Sequence, residues 1–150
     1  MNMYPRFGAM IATSTLVMFG LMYLNTYVAD HIFFNETRLY MALLMGACMA
    51  LIMLGFMLHM LTSKRANIAI VVGAIALFAV SLWLVRSQYT VQQVSYMKAM
   101  IPHHSIAILT STRAEIRDPR VRALADQIIE SQQREIAEMR TLIAELEGQD

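Results

Sequence analysis

Residues 39–61 read LYMALLMGACMALIMLGFMLHML, twenty-three positions without a charged side chain. A helix needs about 20 apolar residues to cross a bilayer, so this stretch alone predicts a membrane span. Two others flank it. One runs from about 7 to 29, with a Thr-Ser-Thr run and Asn25 but no charge, and a shorter one runs from about 68 to 85. The links between them, DHIFFNETR and TSKR, are short. The first apolar stretch exceeds the usual ~7–15 residues of a signal-peptide core, so it is expected to stay as an anchor.

Composition agrees. The 150 residues are 57% hydrophobic and 15% charged, against roughly 45–50% apolar in a soluble domain. The charge is segregated. Residues 1–85 carry only Arg6, Asp30, Glu36, Arg38, Lys64 and Arg65, whereas 86–150 hold eight basic and nine acidic residues. The expected division is a membrane domain over 1–87 and a water-facing domain over 88–150. A net charge of +1 gives no footprint for nucleic acid. Cys48 lies inside a span and implies no disulfide framework. Asn35-Glu36-Thr37 matches a glycosylation sequon, a frequent chance pattern.

Basic residues in short loops set orientation. Arg6, Lys64 and Arg65 fall on one side, Arg38 and Arg86 on the other. This modest bias puts the N-terminus in the cytoplasm of a bacterial inner membrane and the charged region in the periplasm.

The charged region reads as a helical hairpin. From Thr90 to about Arg113, residues Val94, Met97, Ile101, His104 and Ile108 share one face at helical spacing. Asp118-Pro119 pairs an N-cap residue with proline at the first helical position, and Gly148 closes a helix running to about Glu147. Its expected inner face is Val121, Leu124, Ala125, Ile128, Met139, Leu142, Ile143 and Leu146. Gln132 and Glu135 interrupt that stripe. Nothing between Val85 and Thr90 breaks helices strongly, so the third span is expected to continue into the hairpin as one rod. Two helices bury little alone, and dimerisation would complete a four-helix bundle. The expected fold is all-α throughout.

Within the first hairpin helix stands MKAMIPHHSIAIL, residues 97–109. Pro102 cannot donate to the Lys98 carbonyl and should kink or widen the helix, aiming His103 and His104 toward one side. Met100 and His104 stack at four-residue spacing, Met97 adds a sulfur one turn earlier, and Met139 faces them from the second helix. Thioether with imidazole suits a soft monovalent ion, Cu(I) biologically or Ag(I) as its mimic. Zinc sites use Cys, His and carboxylate instead. Glu135, and similarly Gln132, would orient a histidine through its other ring nitrogen. The plainer reading is packing methionines and seam histidines, and residue types alone leave both open.

A resemblance tips the balance. YMKAMIPHHSIAIL followed by DPRVRALADQIIESQQREIAEM resembles the domain-of-unknown-function family 305, ferritin-like helical domains linked to copper. Matching positions are Met97, Met100, His103, His104, Gln132, Glu135 and Met139. The resemblance implies a helical bundle outside the cytoplasm that binds copper or silver ions and is not an enzyme. Three spans depart from the typical secreted member.

Three further readings complete the expectation. Asp30, His31 and Glu36, in the first loop, are a secondary metal site, a docking contact or an ordinary wet loop. Met41, Met45, Met49, Met53 and Met57 recur every fourth residue; they are packing, or a thioether path for Cu(I) ending at Met57, His59 and Met60. The chain is then a membrane-anchored copper(I)-binding protein for sequestration, hand-off or sensing, partnered by the bilayer, by itself and by other copper-handling proteins. The alternatives are a metal-free assembly module or a component of a copper transport path.

Overall fold

The computed structural model describes residues 3–148. Among the described residues all regular structure is helical: α1 (Tyr4–Leu21), a 3-10 turn (Ala29–His31), α2 (Glu36–Met57), α3 (Lys64–Ser87), α4 (Gln93–Arg113) and α5 (Pro119–Glu147). The chain divides into two compact units. One gathers α1, α3 and nearly all of α2; the other gathers residues 23–36 with α4 and α5.

In the first unit, α2 and α3 are long and apolar enough to cross a membrane. Only 22% and 11% of their most apolar windows are buried. Ile52, Phe56, Ile68, Val72, Ile75, Val80 and Trp83 stay exposed, where the core helix of a soluble protein would cover such side chains. The first expected span is cut short: α1 ends at Leu21, and residues 23–29 leave the unit altogether. Carrying Arg6, Thr13, Ser14 and Thr15, α1 is less apolar than its neighbours. It packs on them through Phe7, which is buried with Leu54 and Leu61 and flanked by Met3, Met53 and Met57. The Tyr4 hydroxyl fastens its first turn, donating to Asn67 Oδ1 at 2.8 Å and accepting from the Ser63 amide at 2.9 Å.

Helices α1 and α2 touch where Gly46 meets Thr15. A Cβ at Gly46 would lie 2.5 Å from Thr15 Oγ1, which already donates to the Ile11 carbonyl at 2.8 Å. Gly46→Ala should therefore destabilise this unit by about 1–3 kcal/mol, the usual cost of overpacking. Thr15→Ala in the same chain should recover most of that loss. Detergent-phase melting of both singles and the double tests it, and strictly additive effects would contradict the contact.

The third span does not run on as a rod. Gln88 adopts the left-handed conformation (φ 52°, ψ 22°), its amide capping the Leu84 carbonyl at 3.0 Å, and α4 starts only at Gln93. A left-handed residue at a helix end satisfies orphan carbonyls and redirects the chain. Glutamine is no breaker by type, so nothing in 85–90 signalled the break.

The second unit is the expected hairpin, with α5 bounded as its caps dictate: Asp118 Oδ1 accepts from the Arg120 amide at 2.8 Å and Pro119 opens the helix. The Asp118 carboxyl is held below its ordinary value first by the Arg120 side chain, then by that amide. The core joins Met97, Ile101 and Ile108 of α4 to Ile136 and Ile143 of α5, with Val94, Ile129, Met139 and Leu146 against them. On α5 the seam is thus Ala125, Ile129, Gln132, Ile136, Met139, Ile143 and Leu146, advancing by alternating steps of four and three as a paired-helix seam does. Val121, Leu124 and Leu142, expected inside, are 50%, 56% and 41% exposed. A Lys98–Glu147 ion pair ties the open end of the hairpin.

Residues 23–36 are built into this unit. The 3-10 turn lies against α4, and Phe33 packs on the hairpin core. The first loop, which the sequence placed in the membrane domain, belongs with the C-terminal helices. Asn35 is 2% exposed, which withdraws it as a glycosylation acceptor.

Candidate metal centre

Pro102 stays inside α4 without ending it and is itself buried. Pro102 leaves the Lys98 carbonyl without its regular donor, and the His104 ring reaches back to a different carbonyl, that of Met100. His104 Nδ1 lies 2.9 Å from the Met100 carbonyl oxygen, and Nε2 lies 2.7 Å from Glu135 Oε2. A carbonyl only accepts, so Nδ1 carries a hydrogen. The ring is thus fixed at both ends, and its side chain is 13% exposed.

Glu135 thus holds one ring nitrogen of His104 and the Met100 carbonyl holds the other. His103 differs again. Successive helical residues diverge by ~100°, and the proline does not overcome that rotation. His103 is exposed, its ring roughly perpendicular to that of His104 with centroids 6.2 Å apart. Met97 belongs to the seam's buried cluster and Met139 packs against that cluster, Met100 is half-buried on the turn before His104, and Gln132 is half-buried on the inner stripe of α5. Across the helix–helix seam His104 meets Glu135, Met97 and Met139 are part of its apolar packing, and His103 is exposed.

The secondary trio is not gathered. Among the described residues no three His, Cys, Asp or Glu side chains converge on a common point. Instead the loop docks. Ser105, fully buried, accepts from the Tyr27 amide at 2.7 Å, and its oxygen lies 2.9 Å from His31 Nδ1. With Tyr27 donating, the serine hydroxyl is free to donate to His31, which fits a neutral imidazole. Arg140 of α5 donates to the Asp30 carbonyl at 2.7 Å. Glu36 opens α2 instead. Ser105, Tyr27 and Arg140 were missed in the sequence. The available signal was a serine amid the apolar run that follows the two histidines, a small polar residue where another backbone comes close.

Burial, and after it the Arg140 charge, hold the His31 imidazole below its ordinary value of 6.5, with Asp30 opposing. The folded protein then binds this proton less readily than the unfolded chain does. The stability contribution is complete above 6.5 and is lost as pH falls from 6.5 to the lower folded value. Melting temperature should drop between pH 7.5 and 5.5, and His31→Gln should flatten part of that drop. An unchanged pH profile in the variant would contradict the docking role.

Comparison with known proteins follows the same division. The family described as "Domain of unknown function (DUF305)" matches residues 89–150, which is α4, α5 and the few residues before them. The chain is also similar to "Uncharacterized protein L153" of Acanthamoeba polyphaga mimivirus, with 36% identity over 109 residues, covering 65% of this chain and 68% of that one. A match of that length reaches back past residue 89 into the preceding helices. No solved structure matches. On the strength of the hairpin match and the longer viral relative, the chain belongs to the DUF305 family.

Proposed function

We propose that the hairpin takes up a soft monovalent ion, Cu(I) or Ag(I), at the α4–α5 seam, for sequestration, hand-off or sensing. The observation that carries this reading is His104, locked by the Met100 carbonyl on one side and turned toward Glu135 on the other, at a seam whose apolar core includes Met97 and Met139. His104 Nε2 supplies a fixed nitrogen, Met139 and Met97 or Met100 supply thioethers, and Glu135 supplies a charge that offsets the ion's. Thioethers with imidazole select Cu(I) over hard divalent ions. His103, exposed beside the seam, is placed for transient capture or release rather than for holding. The test is the metal content of detergent-purified protein loaded anaerobically with Cu(I), beside a His103→Ala/His104→Ala variant. Equal content in both removes the site.

The same reading places α1 (Tyr4–Leu21) as a third span beside α2 and α3. At ~1.5 Å per residue its 18 residues approach the ~30 Å of a bilayer core. Arg6, Lys64 and Arg65 would face the bacterial cytoplasm and the hairpin the periplasm. Blocking of a Gln133→Cys thiol by an impermeant maleimide in intact cells tests the orientation.

The uncovered Val121, Leu124 and Leu142 of α5 support a homodimer that completes a four-helix bundle. The same face would serve a metal-free assembly module. The two part on stability: an ion specific for the folded hairpin must raise its melting temperature, and an assembly module is indifferent to Cu(I) or Ag(I).

A further inference from the structure

Four of the six residues lining a cleft of about 400 Å³ in the membrane-type unit are methionines: Met3, Met10, Met57 and Met60, with Phe7 and Arg6. The two pairs come from opposite directions. Met3, Phe7 and Met10 recur at four- and three-residue steps, so they line one side of the start of α1. Met57 ends α2, and the tight turn after it, closed by the Met60 amide on the Met57 carbonyl at 2.9 Å, brings Met60 round beside it.

Packing alone does not account for this concentration. Two other cavities of the same unit, one around Ile11, Leu43, Ala47 and Ile70 and one around Phe7, Ala12 and Ala69, have no methionine in their linings. Leucine, isoleucine and alanine fill space there, whereas four thioethers line this cleft. The side chains at its mouth are accessible, Met10 being 37% and Met60 43% exposed.

We propose that this cleft is a second soft-metal site, binding one Cu(I) or Ag(I) through thioether sulfur alone. Neutral sulfur donors bring no charge, so hard divalent ions find neither the oxygen ligands nor the compensation they require. Arg6 sharpens that choice. Its guanidinium repels any cation, and a divalent ion twice as strongly at the same distance. Phe7, between Met3 and Met10, offers a ring face to a partly desolvated cation. The proposal shares its choice of ion with the hairpin reading but uses none of the hairpin's residues.

The experiment counts Ag(I) equivalents retained by the full chain in detergent, by dialysis and mass spectrometry, with X-ray absorption to identify the donor atoms. Three proteins are compared: wild type, Met57→Leu/Met60→Leu, and His103→Ala/His104→Ala. Leucine keeps the volume, and unchanged metal-free melting certifies the fold; Met10→Leu/Met60→Leu, at exposed positions, serves if it does not. The expected result is two equivalents in wild type and one in each variant, the ion left in the histidine variant showing sulfur neighbours and no nitrogen. A methionine variant that keeps every wild-type equivalent overturns the cleft site. One wild-type equivalent lost with the histidines overturns it and leaves the hairpin site standing. One sulfur-only equivalent that survives loss of the histidines does the reverse.

Discussion

His104→Ala should weaken Ag(I) or Cu(I) binding by the hairpin by more than about 100-fold, while His103→Ala should weaken it by less than about tenfold. The estimate starts from outer-shell partners, whose loss typically costs 10–100-fold in metal affinity. Removing a ligating nitrogen exceeds that, and removing an exposed neighbour falls below it. The asymmetry comes from geometry. His104 is held by two contacts of 2.9 and 2.7 Å at a seam that also contains Met139, whereas His103 points away from it. Glu135→Gln falls between them, since it removes a charge without moving the ring. Competition against a chromophoric Cu(I) chelator under anaerobic conditions measures all three. Equal losses from the two histidines would dispose of the seam as the binding place. The metal-free fold should be little affected, because Glu135 is 45% exposed and water replaces the lost partner.

The largest stability effect is expected at Ile101. Its side chain is 0% exposed and lies between Met97 and Ser105 on the inner face of α4, opposite Ile136 and Ile143. Ile101→Ala removes three buried carbons and leaves a cavity, at a cost of about 2–5 kcal/mol. Small domains seldom have more than 5–15 kcal/mol in total, so the hairpin unit should lose a large share of its stability. Amide exchange across 94–146 reports this separately from the membrane-type unit, and protection there should fall by the same free energy. Thr112→Ala, an exposed change on the same helix, should stay within about 0.5 kcal/mol of the parent. Retained protection in Ile101→Ala would mean that the core is organised elsewhere.

What could be read from the sequence follows the reach of the chemistry involved. The limits of α5 were legible because Asp118, Pro119 and Gly148 act on their immediate neighbours. Met97, Ile101 and Ile108 were legible because periodicity over twenty residues leaves one apolar face. On α5 two apolar stripes compete. Periodicity favoured Val121, Leu124 and Leu142, but the partner helix selected the stripe through Ile129 and Ile136, a choice that depends on crossing geometry. The first span was drawn too long because the apolar residues of 23–29 carry no charge to mark the point where the chain leaves the helix and joins the other unit. The positions of His103 and His104 about the seam also escaped sequence reading, because the twist a proline imparts depends on what the neighbouring turns can absorb.

The capture of residues 23–36 by α4 and α5 bears on how the protein is made. His31 must find Ser105, 74 residues downstream, and Arg140 must find the Asp30 carbonyl 110 residues upstream. During synthesis that loop emerges early, and the helices that receive it are finished last. Loop closure over such separations is slow relative to local helix formation. Until the ribosome has released the end of α5, Phe33 and the Tyr27 amide stand open to water and to other nascent chains. Maturation therefore contains a waiting period, and chaperones acting on the loop, or a slower translation of the last sixty codons, would change the yield of folded protein without altering its final stability.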